Sequence, residues 1–119
     1  MEKFIALEKA RKIVQISFSY IKRLDKYDPL RNQASRSAIS VVSNLAEGNE
    51  RTGKDRNQLF KISKGSLSEL KEQLLIMFYE KGFDHDLLDR IEELHKILYS
   101  LSRSQSQSQS QKTKTEAEK

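Results

Sequence analysis

The stretch that decides the fold is ISVVSNLAEGNERTGK, residues 39–54, in which apolar and small residues lead into a charged turn marked by glycine. The apolar positions continue back to Leu30 at steps of three and four residues, which is the period of one helix face. Gly48 directly follows Glu47, and we predict it as the C′ residue that stops the helix. The stretch therefore predicts a helix from Leu30 to Glu47 that ends in a turn.

Three further segments have the same helical period, and together with the first they fill the chain as far as Leu101. The predicted helices cover residues 2–24, 30–47, 54–81 and 85–101. Pro29 disfavours helical geometry at Asp28, so the stretch before it ends the first helix, and Gly82 closes the third helix. Thr52 and Asp55 resemble a capping box at the start of the third helix. No alternating strand pattern competes, so we predict an all-α fold, an antiparallel up-down four-helix bundle.

The last part of the chain has a different composition. The segment from Ser102 to Lys119 includes a Ser-Gln repeat at residues 104–111 and contains no large apolar residue. Burial of apolar surface cannot offset the entropy lost by ordering such a segment. We therefore predict a four-helix domain over residues 1–101 and a disordered polar tail over residues 102–119.

Composition limits the class of protein. The 119 residues carry a formal charge of +5, 33% of them are charged, and cysteine is absent. A chain without cysteine has no disulfide framework and no thiolate metal site, which fits a cytoplasmic protein. No apolar run reaches the roughly 18 residues of a membrane span, and the N-terminal stretch lacks the apolar segment of a signal peptide. Neither a membrane partner nor export is expected.

Gly65 and a set of polar residues mark the expected contact between the second and third helices. Glycine inside a helix costs about 1 kcal/mol relative to alanine, and a close helix crossing at Gly65 would offset that cost. If the small-residue face of the second helix packs there, four polar side chains meet: Asn44, Glu47, Ser66 and Glu69. One interpretation is a structural polar cluster that fixes the helix register, with Arg51 or a backbone N–H at a helix start as the partner of Glu47. The other is a pocket or a contact between subunits.

Catalysis and metal binding have little support in the sequence. Glu92 and His95 have the Glu-x-x-His spacing of di-iron bundles, but such a site needs two of these pairs and two more carboxylates. Glu92 also lies off the apolar stripe of its helix. The sequence has no nucleophile motif and no glycine-rich phosphate loop. We therefore expect a protein that is not an enzyme and that uses no metal or other cofactor.

Basic residues give the strongest indication of function. Residues 51–64 contain five cations and one acid, a local charge of +4. The five cations are Arg51, Lys54, Arg56, Lys61 and Lys64. They are suited to phosphate contacts with RNA or DNA, although solvated basic faces are also common on helices. Tryptophan is absent and Phe60 is expected in the core, so stacking of single-stranded bases is not expected.

A family resemblance is carried by two stretches of the sequence. They are LRNQASRSAISVVSNLAEGNERTGK (residues 30–54) and LFKISKGSLSELKEQLLI (residues 59–76). They resemble the four-helix-bundle proteins encoded in intervening sequences of bacterial 23S rRNA genes. The first motif is matched by Gln33, Arg36, Ala38, Ser40, Val41, Asn44, Leu45, Ala46, Glu47 and Gly48. The second is matched by Ile62, Gly65, Ser66, Leu67, Glu69, Leu70, Gln73 and Leu74. Val42, where many relatives have proline, and Ser63, where alanine is usual, depart from the pattern.

The resemblance implies an antiparallel four-helix bundle whose copies form a homopentameric ring. It also implies a link to RNA, and the function we expect is weak binding of RNA or another nucleic acid through a basic surface. The alternative is a protein-binding adaptor, because the accessory proteins of diversity-generating retroelements are similar in architecture and bind a reverse transcriptase. Gene context separates the two, since a neighbouring reverse transcriptase favours the adaptor.

Overall fold

The structure, a computed structural model, describes residues 4–79 and 82–118, with side chains described as far as Arg103. Within these residues the chain forms four helices and no strand: α1 (Ile5–Ile21), α2 (Pro29–Asn49), α3 (Gly53–Phe78) and α4 (His85–Glu118). The all-α, four-helix fold predicted from the periodicity is confirmed. None of the described helices is long and apolar enough to cross a membrane.

Local sequence sets the beginning of α2 and α3. Asp28 caps α2 by accepting a hydrogen bond from the Leu30 amide at 2.9 Å, and Pro29 occupies the first helical position, where an N–H is not needed. Thr52 precedes α3 without a capping hydrogen bond from its side chain, so the predicted capping box is wrong. The helix begins at Gly53, whose φ of 70° lies in the left-handed region that glycine adopts without steric cost.

Each helix buries one face in a shared core. The α2–α3 and α3–α4 pairs have the most extensive contacts, α1 packs against α2 and α4, and α1 touches α3 only slightly. Contacts run in opposite order along α2 and α3, because Ser40 lies beside Ser66 whereas Gly48 lies beside Phe60. The largest fully buried side chains are Ile13, Ile21, Val41, Leu45, Phe60, Leu67, Leu70, Leu74, Leu87, Ile91, Leu94 and Leu98.

The glycines of α2 and α3 have roles opposite to those predicted. Gly48 does not stop α2; it is buried within the helix, which continues to Asn49. A Cβ on Gly48 would lie 2.7 and 2.8 Å from two ring carbons of Phe60, which is itself fully buried. Gly65 is exposed, and a Cβ there would meet no neighbouring heavy atom within 4 Å. The close crossing of α2 and α3 is therefore at Gly48, where the backbone of α2 rests on an aromatic ring.

The helix α4 extends beyond the predicted end of the bundle. It continues through the Ser-Gln repeat to Glu118, where composition predicts a disordered tail. Ser102 is buried, and its hydroxyl donates a hydrogen bond to the Tyr99 carbonyl at 3.2 Å, so side-chain packing continues past Leu101. The side chains of residues 104–119 lie outside the described part, and the division into a bundle over 1–101 and a tail over 102–119 stays a prediction.

Candidate nucleic-acid interface

Uncharged polar residues join α2 to α3. The hydroxyl oxygens of Ser40 and Ser66 lie 2.6 Å apart, and the side-chain amide of Asn44 donates to the Ser40 carbonyl and hydroxyl at 2.9 and 3.0 Å. Ser63, which stands where the family motif has alanine, is buried and donates to the Val41 carbonyl at 2.7 Å. The Ser40–Ser66 and Ser63–Val41 hydrogen bonds connect the two helices and satisfy hydroxyls that would be costly to bury alone, whereas the Asn44 bonds lie within α2.

The carboxylates Glu47 and Glu69 lie outside this network. Glu47 is exposed and pairs with Arg51 at 3.0 Å, one helical turn further on. Glu69 is exposed on the rim of a groove of about 390 Å³ between α2 and α3. Both carboxylates stay in water, where a charge needs no buried partner. The structure thus joins Asn44 to Ser66 through Ser40, which stands four residues before Asn44 on the same helix face and was not predicted.

Arg51 and Arg56, two of the five predicted cations, are held at the turn between α2 and α3. Arg51 pairs with Glu47. The Arg56 guanidinium lies 4.7 Å from the centre of the Phe60 ring and donates to the carbonyls of Gly48 and Asn49 at 3.5 and 3.4 Å. These carbonyls belong to the last turn of α2, and the Gly48 carbonyl also accepts a hydrogen bond from the Arg51 amide at 3.1 Å. Partial burial lowers the pKa of Arg56, and its contacts give it a structural role.

Lys61 and Lys64 lie on α3 beside α4, where they share a groove of about 300 Å³ with Tyr99, Ser102 and Arg103. The Lys64 ammonium is 5.0 Å from the centre of the Tyr99 ring, and the Arg103 guanidinium carbon is 5.8 Å from it. Arg103 also donates a hydrogen bond to the Tyr99 hydroxyl at 3.2 Å. No acid is among the described side chains that line this groove. We call Lys61, Lys64, Tyr99 and Arg103 the α3–α4 basic patch.

A second groove, of about 440 Å³, lies further along the same two helices. Its lining includes Ser68, Lys71, Glu72, Glu92, His95 and Lys96, in which two lysines face two glutamates. His95 lies 3.2 Å from the Ser68 hydroxyl, and its pKa is lowered by burial and by the nearby Lys64 and Lys71. The imidazole is therefore neutral near pH 7, and the surplus of positive charge lies in the α3–α4 basic patch.

The spacing of Glu92 and His95 in the sequence resembles that of a di-iron site. In the part of the chain that the structure describes, no group of three His, Cys, Asp or Glu side chains is placed to share an ion. Glu92 and His95 line the same groove, but the hydroxyl of Ser68 is the group beside the imidazole. In a di-iron site the imidazole would have carboxylates as its neighbours, whereas here a serine hydroxyl lies beside it.

Sequence reasoning missed Tyr99 and Arg103. They stand at positions i and i+4 of α4, far along the chain from the basic stretch, and reach Lys61 and Lys64 only through the packing of α3 against α4. Phe60 is buried in the core, as predicted, but Tyr99 keeps 48% of its surface exposed among the cations. The spacing of Tyr99 and Arg103 on one helix face was the signal that could have found them.

The fold and the patch define a four-helix-bundle protein with a basic groove on its surface. Comparison with protein families matches residues 2–103 to the 23S rRNA-intervening sequence protein family. The match covers all four helices as far as their side chains are described, and the chain belongs to this family. The resemblance seen in the two motifs is thereby confirmed. A search of curated proteins gave no match.

Proposed function

We propose that this chain is a cytoplasmic, non-enzymatic protein that binds RNA through the α3–α4 basic patch. The observation that carries the proposal is the convergence of Lys61, Lys64 and Arg103, from two helices, on one groove lined by no described acid. The family name refers to 23S rRNA genes, which favours RNA over other polyanions.

The patch is suited to phosphate groups because its charges are accessible and uncompensated. Lys61 and Arg103 are exposed, and Lys64 is half-buried. Exposed cations that meet phosphates release condensed counterions, and this release supplies most of non-specific affinity. Lys64 and Arg103 both lie against the Tyr99 ring, so their charges stand beside the same groove. Arg51, by contrast, is already neutralised by Glu47.

The salt dependence of RNA binding tests this proposal. Three phosphate contacts correspond to a slope of log affinity against log salt of roughly −2.1 for a single strand and roughly −2.7 for a duplex. Affinity should therefore fall roughly 20- to 40-fold between about 50 and about 200 mM salt. Fluorescence anisotropy with a labelled 23S rRNA fragment measures the effect. Salt-independent affinity, or no binding at about 50 mM salt, would contradict the proposal.

A second proposal concerns the groove between α2 and α3, which is suited to contact with another protein. Its lining includes Gln33, Arg36, Ser40, Ser66, Glu69 and Gln73, all of them positions of the two family motifs. The hydrogen bonds of Ser40 and Ser66 account for two of these positions, whereas Arg36 and Glu69 remain exposed. We propose that further copies of this chain cover the groove in a homopentameric ring; an adaptor for a reverse transcriptase would use the same face.

The assembly that we propose is a ring of antiparallel up-down bundles. The opposite order of the Ser40–Ser66 and Gly48–Phe60 contacts supports the antiparallel arrangement of α2 and α3. Light scattering coupled to size exclusion should give a mass near five times 13.8 kDa. Arg36→Glu should lower that mass, because it places two carboxylates at the rim of one groove. A monomer at all protein concentrations would refute the ring.

A further inference from the structure

We infer that the α3–α4 basic patch binds single-stranded RNA, with one base stacked on Tyr99 and the adjacent phosphates held by Lys64 and Arg103. The inference rests on the proposed function and narrows its ligand to an unpaired strand. It also reverses the expectation, drawn from the scarcity of aromatic residues, that bases do not stack on this protein.

Tyr99 presents an aromatic surface that is accessible and held in place. Of its surface, 48% is exposed, although the residue lies among helix positions that pack α4 against the bundle. Its hydroxyl accepts a hydrogen bond from Arg103, and its carbonyl accepts one from the buried Ser102. An exposed ring that is already positioned loses little freedom when a planar base covers it. Such rings are the platforms on which single strands are bound without regard to sequence.

Two cations from different helices flank this ring. Lys64 reaches it from α3 at 5.0 Å, and Arg103 reaches it from α4 at 5.8 Å. Contacts between cations and aromatic rings are weak at exposed sites, so a phosphate competes well for both side chains. A stacking base would displace the Lys64 ammonium from the ring and leave it beside the backbone of the same strand. Lys61, on the preceding turn of α3, can then meet the next phosphate.

A duplex cannot use the ring in this way. The faces of its bases are covered by their neighbours in the stack, and only base edges and backbone groups reach a protein surface. Tyr99 could contact a base face of a duplex only after the base had left the stack, which is costly. The patch therefore distinguishes the two forms of RNA through its aromatic member, because its three cations serve either form.

Tyr27 offers an internal comparison. It is 82% exposed, and Lys26 lies 5.0 Å from the centre of its ring, the same distance as between Lys64 and Tyr99. Two acids, Asp25 and Asp28, stand close to it in the chain, and Asp25 accepts a hydrogen bond from the Tyr27 amide. Tyr27 is thus more exposed than Tyr99 and has one cation contact at the same distance, but its acidic neighbours repel a phosphate.

The test compares single-stranded RNA, duplex RNA of equal length and inorganic polyphosphate, all at about 50 mM salt. Tyr99→Leu should weaken binding of a single-stranded oligoadenylate about tenfold, which is typical for the loss of one stacked base. Its affinity for duplex RNA and polyphosphate should be unchanged. Tyr99→Phe keeps the ring and should bind nearly as well as the native protein, and Tyr27→Leu should have no effect.

A fluorescence signal supplies a second readout. The chain has no tryptophan, so Tyr99→Trp would introduce a single indole into the patch. A base stacked on this indole should quench its emission when single-stranded RNA is added, and polyphosphate should leave the emission unchanged. Equal binding of the three polyanions, with no effect of Tyr99→Leu and no quenching, would overturn the inference and leave the proposed function standing. If none of the three polyanions bound, the proposed function itself would fail.

Discussion

Gly48→Ala is expected to destabilise the fold by about 1–3 kcal/mol, the usual cost of forcing an extra methyl group into a packed core. The added Cβ would lie 2.7 Å from a ring carbon of Phe60 and 3.3 Å from the Cβ of Leu59. Phe60 is fully buried, and its ring also packs on Phe4 at 6.0 Å between centroids, so it cannot move aside freely. Thermal unfolding followed by circular dichroism should show a melting temperature lower by roughly 4–8 °C for each kcal/mol.

Gly65→Ala is the matched control for this substitution. Both glycines lie inside helices, but a Cβ at position 65 meets nothing within 4 Å. Alanine there should raise the free energy of unfolding by about 0.5–1 kcal/mol through helix propensity alone. Both variants should be compared at one protein concentration, because assembly would make the melting temperature depend on it. Changes of the same sign in the two variants would refute the assignment of the close crossing to Gly48.

Replacing Lys61, Lys64 and Arg103 together with glutamine is expected to reduce RNA affinity by about two orders of magnitude at about 50 mM salt. The size of the effect follows from the counterions that three phosphate contacts release at low salt. The three side chains lie on the surface of α3 and α4, so the fold should survive their replacement. Anisotropy titrations of the variant and the native protein measure the loss.

Two controls separate the patch from overall charge and from the structural cations. Arg11, Lys12 and Lys22 are exposed on or next to α1, and their replacement with glutamine changes the net charge equally. That variant should retain nearly all RNA affinity. Arg56→Gln should lower stability by about 1 kcal/mol, because it removes the hydrogen bonds that the guanidinium donates to the Gly48 and Asn49 carbonyls, but it should not weaken RNA binding. An equal loss of affinity in the two triple variants, which remove the same number of charges, would show that only net charge matters.

The helices were predictable because their signals are local. The α2 helix begins at Pro29, one residue before the predicted start at Leu30, because Asp28 caps it and proline fits the first helical position. The roles of the two glycines were not predictable in this way. Glycine is equally suited to ending a helix and to allowing a close crossing, and the choice depends on the residue that faces it. For Gly48 that residue is Phe60, which lies on another helix.

The candidate site was predictable only in part for the same reason. Lys61 and Lys64 were identified from charge alone, and the structure leaves them beside an open groove. Arg56, in the same basic stretch, is drawn to the end of α2, where the carbonyls of Gly48 and Asn49 lie within reach of its guanidinium. Tyr99 and Arg103 join the patch through the packing of α4 on α3, and no local pattern in the basic stretch specifies that contact.

The central claim is that the α3–α4 basic patch holds RNA by its phosphates. The most direct test measures the slope of log RNA affinity against log salt concentration for two proteins. The native chain should give a slope of roughly −2 to −3, and the variant lacking the charges of Lys61, Lys64 and Arg103 should give a slope near zero. Each cation that contacts a phosphate contributes about one unit to the slope. Identical slopes for the two proteins would show that RNA, if bound, is held by another surface.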